Sequence, residues 1–128
     1  MNIHGREVGF MCTVSAHGKI SALAPDNNLN TVFNILKGTD MVEMYATALL
    51  FTVAMSEGYV DHMRWEAPEM ELRPLTVDEM QVLTTAEFDA LFAEAFEAFT
   101  RDLGVTVEAE LPKVKGKNAA AAKGKESS

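Results

Sequence analysis

Apolar positions recur along this chain mostly at helical spacing, with strand-like segments near the two ends of its body. Leu29, Val32, Phe33 and Leu36 stand at i, i+3, i+4 and i+7, one stripe of a short helix. Asn28 is its natural N-cap and Lys37-Gly38 its close. Residues 15–24 put Ala16, Ile20, Leu23 and Ala24 on one face behind Ser15 as cap, and Pro25 ends that helix because the residue before a proline avoids the α region. Asp40 and Glu43 form a capping-box pattern ahead of a helix over 41–56, with Gly58 as its C-terminal glycine. From Met41 to Met55 that helix is apolar nearly all round, which places it at the centre of a bundle.

The second half is punctuated by two capping boxes. Thr76-x-x-Glu79 opens a short helix carrying Met80 and Leu83, and Thr84-x-x-Glu87 opens a longer one to about Leu103. In the longer helix Phe88, Leu91, Phe92, Ala95, Phe96 and Phe99 hold one stripe for three turns. Residues 59–75, with Pro68, Pro74 and no periodicity, read as a loop wrapping the body and anchored by Trp65. At the N-terminus, residues 2–14 read as a β-hairpin turning at His4-Gly5, although Gly9 weakens its second strand. Val105, Val107, Ala109 and Leu111 alternate with polar residues after Gly104, which predicts a short strand able to pair with that hairpin.

Charge divides the chain. Residues 1–112 hold 18 acidic against 6 basic side chains, a net of −12, while the last sixteen, KVKGKNAAAAKGKESS, carry five lysines and one glutamate, a net of +4. The layout predicts one globular domain over 1–112 and a disordered Lys/Ala/Gly tail over 113–128. An acidic body repels a nucleic acid backbone, and five lysines without aromatics make a poor recognition element. The longest apolar run, Tyr45 to Met55, falls well short of the ~20 residues a membrane span needs. Neither nucleic acid nor membrane is an expected partner.

Candidate chemistry is sparse. His4, His17 and His62 lie in separate elements without a second ligand at i+3 or i+4, so turn or surface histidines are the simpler reading. Cys12, the single cysteine, has His17 five residues on, and a nucleophile pair is conceivable, but a small apolar residue on a strand is much the better reading. Glu66, Glu69 and Glu71 read as a solvated acidic loop. No catalytic residue, cofactor or metal is predicted, and the chain is expected not to be an enzyme. The phenylalanine stripe has two readings: core, or a groove for a partner, where aromatics are enriched. On the second reading Phe88, Phe92, Phe96, Phe99 and Trp65 are the candidate partner-binding residues.

The order of features has a counterpart. A start strand and "EVGF" lead to a small helix ending "ALAPD", then "LNTVFNIL", an apolar helix ending "SEGYV", a proline-containing loop, "PLTVDEMQVLTTAEFDALFAEAFEAFTRD", "VTVEAELPK" and a lysine-rich tail. Over nearly its whole length the chain resembles the tail assembly chaperones of long-tailed bacteriophages and prophages, in the form common in Gram-positive gut bacteria. The resemblance implies a mainly helical, non-enzymatic protein that binds the tape measure protein and helps recruit tail tube protein around it. It implies action in the host bacterial cytoplasm and absence from the mature virion. It also implies a longer form made by ribosomal frameshift near the end of the frame, for which the lysine codons of Ala119–Lys125 are candidates. No residue-level site carries over.

The combined expectation is an α+β, mainly helical domain with about five helices and a small antiparallel sheet from the N-terminal hairpin and the strand over 105–111. A tail assembly chaperone is the expected function, with homo-oligomerisation open. The alternative is a virion structural component, either a head–tail connector or a tail tube subunit, which needs large self-complementary interfaces.

Overall fold

The computed structural model describes residues 1–103. It is a mainly helical α+β fold: a two-stranded antiparallel hairpin, β1 (Asn2–Ile3) and β2 (Arg6–Glu7), followed by five helices. These are α1 (Val14–Ser21), α2 (Leu29–Leu36), α3 (Met41–Glu66), α4 (Val77–Gln81) and α5 (Thr85–Leu103). The predicted strand at 105–111, the boundary at Pro112 and the tail over 113–128 lie outside the described residues.

Local chemistry accounts for most helix starts. The side chains of Thr13, Asn28 and Asp40 accept from backbone N–H groups of α1, α2 and α3 respectively, each satisfying a donor that has no partner within the helix. Thr76 and Glu79 complete a reciprocal capping box on α4. At α5, Thr84 N–H donates to Glu87 Oε1 and Glu87 N–H to Thr84 Oγ1. The hairpin turns through His4 (φ 51°) and Gly5 (φ 83°), the left-handed pair that matches the twist of its strands.

Four expectations need correction. The second strand stops at Glu7 instead of running to Val14: Val8 N–H still donates to Met1 O, but beyond it the backbone bonds elsewhere, Met11 N–H to Met55 O on α3 and Cys12 N–H to the Asp102 carboxylate on α5. Helix α1 begins at Val14 with Thr13 as cap, in place of Ser15, and ends at Ser21. Helix α3 does not stop near Gly58 but runs to Glu66, so the first part of the expected loop is helical. Gly58 is a buried interior position there, and a Cβ on it would lie 2.3 Å from Met11 O. Its role is close approach, which lets the 8–13 segment lie against the helix. Trp65, expected to anchor that loop, is 83% exposed near the end of α3.

Helix α3 is the centre of the bundle and packs on α1, α2, α4 and α5. Its inner side chains Ala48, Phe51, Ala54 and Met55 meet Ile20 of α1, Val32 and Leu36 of α2, and the α5 stripe in one core. Tyr45 meets Phe88 near the starts of α3 and α5, and Phe51 meets Phe92, Phe96 and Phe99 further along, so the two helices run in the same sense. Two buried hydroxyls there have partners: Thr52 Oγ1 donates to Ala48 O at 2.8 Å, and Leu75 N–H donates to Ser56 Oγ at 2.7 Å. The second of these bonds ties the α3–α4 connection to the core.

Candidate interaction surface

The stripe singled out as a partner groove is core. Phe88, Phe92, Phe96 and Phe99 are all buried, with Phe99 at 0% exposure, and their rings form an edge-to-face and stacked cluster with Phe33 and Phe51. Helical spacing and the packing of α5 on α3 account for all four. Trp65 lies apart from them, stacking edge-on against His62 on the outside of α3.

Among the described residues, Val14 on α1 and Val82 at the end of α4 are singly exposed, and a continuous apolar seam stays open on α3. The buried face of that helix holds Met44, Thr47, Ala48, Phe51, Thr52 and Met55. A second seam of the same period, Val42, Tyr45, Ala46, Leu49, Leu50 and Val53, faces outward. Val42 is 81% exposed and Leu50 46%, Ala46 is exposed, and Tyr45, Leu49 and Val53 are half-buried against the core edge. The margins are acidic. Tyr45 Oη donates to Asp89 Oδ1 of α5 at 3.1 Å, and burial followed by that carboxylate pushes the phenol pKa up. Glu43 sits one turn from Ala46, and Glu57 lies one turn beyond Val53, held by Lys19 Nζ at 2.9 Å. The all-apolar run of α3 contained both faces, but a rule that sends such a helix to the centre of a bundle hides the outer one.

The polar groups elsewhere do structural work. Glu79 accepts from Arg6 Nη1 and Arg73 Nη1, each at 2.8 Å, and from Thr76 N–H at 3.0 Å. Partial desolvation pushes its carboxyl up, but the Arg73, Arg6 and Thr76 hydrogen bonds overcome it and hold the pKa down to about 2. Arg6 also donates to the carbonyls of Arg73 and Pro74, so one guanidinium locks the hairpin to the chain entering α4. Beside it, Arg6, Gly9, Ser56, Tyr59 and Glu71 line an open cleft of about 400 Å³. At the other end of the hairpin segment, Arg101 and Asp102 clamp Phe10 and Cys12 to the end of α5.

This environment disfavours nucleophilic chemistry at Cys12. Desolvation and then the Asp102 carboxylate push the thiol pKa up to about 11, away from the thiolate a nucleophile needs. His17 is exposed on α1, while His4 and His62 pair with Glu87 and Glu66, each at 3.1 Å. Glu69 and Glu71 are exposed, in keeping with a solvated acidic loop. Among the described residues, no three His, Cys, Asp or Glu side chains group as metal ligands, and no helix is long and apolar enough to cross a membrane. No protein-family model, curated protein or solved structure matches the chain.

Proposed function

We propose that this chain is a non-enzymatic tail assembly chaperone of a long-tailed bacteriophage or prophage, which binds the tape measure protein and helps recruit tail tube subunits. The observation that carries the reading is an acidic helical body in which the described residues leave an apolar helical seam uncovered beside the core. A holding protein needs such a surface: apolar enough to shield a client, on a scaffold whose charge keeps it soluble. The order of sequence features along the chain, which resembles that family, supports the same reading. On this reading the protein acts in the cytoplasm of the bacterial host and leaves before the virion is complete.

Co-expression with the tape measure protein encoded beside it is the test. The expected result is a soluble complex that co-elutes in size exclusion, with the client insoluble when expressed alone. A client equally soluble alone, with no complex formed, overturns the reading. Assembly of the isolated chain into rings or tubes, seen by light scattering, points instead to a connector or tube subunit.

A further inference from the structure

The outer seam of α3 has the geometry of half a helix–helix interface. Val42, Tyr45, Ala46, Leu49, Leu50 and Val53 follow i, i+3, i+4, i+7, i+8 and i+11, the spacing with which a helix buries one stripe against another. From Val42 to Val53 the seam is about 16 Å long, enough for three turns of a partner helix. Its small central Ala46 allows close approach of the partner backbone.

Charge selects the occupant. From Met41 to Met63 there is no lysine or arginine; Glu43 and Asp89 stand along the seam's margins, while Glu57 beyond its end is already paired with Lys19 of α1. A second copy of this chain would set those acids against themselves. The chain's own residues 113–128 have the right charge but only Val114 as a branched apolar side chain, and residues 105–111 interleave their apolar positions with Glu108 and Glu110. Neither supplies an apolar stripe between basic flanks. We infer that the outer seam of α3 is the docking site for an amphipathic helix of a client protein, its apolar stripe bordered by lysine or arginine. The inference rests on the chaperone reading for what the client is, and on the seam for where it binds.

The probe is a synthetic helix of about 18 residues with a leucine stripe and lysine flanks, long enough to hold helix on binding. Two control peptides carry glutamate flanks or a serine stripe. Titration calorimetry with the full chain should show binding of the leucine–lysine helix and little of either control. Leu50→Glu and Val42→Glu should each weaken it at least about tenfold by placing an unpaired charge in the contact. Val42 is 81% exposed, so Val42→Glu keeps the test even if Leu50→Glu does not fold. Undiminished binding in a folded variant, or equal binding of the serine-stripe peptide, overturns the seam. So does a dimer of the full chain that either variant dissociates. A tape measure complex that forms equally well with both variants removes the seam and leaves the chaperone reading standing. If the peptide binds through the seam but no such complex forms, the chaperone reading fails and the docking site stands.

Discussion

Two apolar stripes of the same period lie on the two longest helices, and they differ in what covers them. The α5 stripe, Phe88, Phe92, Phe96 and Phe99, is closed against Phe33 and Phe51. Among the described residues the outer stripe of α3 is open at Val42, Ala46 and Leu50, although its residues are as apolar by type. Periodicity therefore says that a stripe exists, and the neighbouring elements decide whether it becomes core. Helix α5 is amphipathic and has one apolar face to bury, which it lays on α3. Helix α3 has two, and its partners α1, α2, α4 and α5 leave the outer one uncovered.

The comparison breaks most easily at its closed side. Phe99→Ala removes a ring at 0% exposure that touches Phe33, Phe51 and Phe96. A loss of about 3–5 kcal/mol is expected, from lost transfer energy plus the cavity left behind. Urea unfolding followed by circular dichroism measures it. A loss below about 1 kcal/mol would mean that the α5 stripe is not core and would restore it as a candidate partner surface.

Gly58→Ala tests how α3 came to be covered on the side facing the 8–13 segment. Alanine is the better helix former by roughly 1 kcal/mol, so in an open helix this change stabilises. Here the new methyl would meet the Met11 carbonyl oxygen at 2.3 Å, with Thr13 Oγ1 at 3.1 Å and Ala16 Cβ at 3.3 Å. The clash is with backbone, which cannot rotate away, and the expected net cost is about 1–3 kcal/mol. A raised melting temperature would show that the segment does not lie against the helix.

A smaller effect separates charge from packing. Glu79 has a folded pKa of about 2 against an ordinary 4.5. Its carboxylate therefore contributes stability that is fully present above about pH 4.5 and is lost as pH falls through the folded value near 2. Because the side chain is 34% exposed, solvent screening reduces the contribution to roughly 1 kcal/mol. Glu79→Gln should lose that amount at pH 7 and show a shallower stability decline between pH 4.5 and 2. The wild type and variant having parallel acid profiles would mean the Arg6–Glu79–Arg73 junction holds little in solution.

Legibility followed the range of the interaction. Asn28, Asp40, Thr76 and Thr84 were readable as caps because each acts on N–H groups within three residues of itself. The stripes of α2 and α5 were readable for the same local reason. The failures are tertiary. Gly58 looks like a helix end until the Met11 carbonyl is placed against it, and Trp65 looks like an anchor until α3 carries it past the body. Phe10, Met11 and Cys12 look like a strand until α3 and α5 supply partners for their backbone. The outer seam was present in the apolar run of α3, but no pattern within one helix says which of its faces its neighbours will leave open.

That last point has its own measurement. Val42 stands in the first turn of α3 at 81% exposure, so Val42→Ser removes two methyl groups that already face water. Serine competes with backbone hydrogen bonding mainly in helix interiors and is well tolerated near an N-terminus, so propensity changes little. Stability should stay within about 0.5 kcal/mol of wild type in the urea midpoint, as for exposed positions generally. The same change at Val32, at 0% exposure on α2, should cost several times more because it places a hydroxyl in the core. If Val42→Ser instead costs more than about 1 kcal/mol in the isolated chain, something in that chain covers the seam, and the contrast between the two stripes disappears.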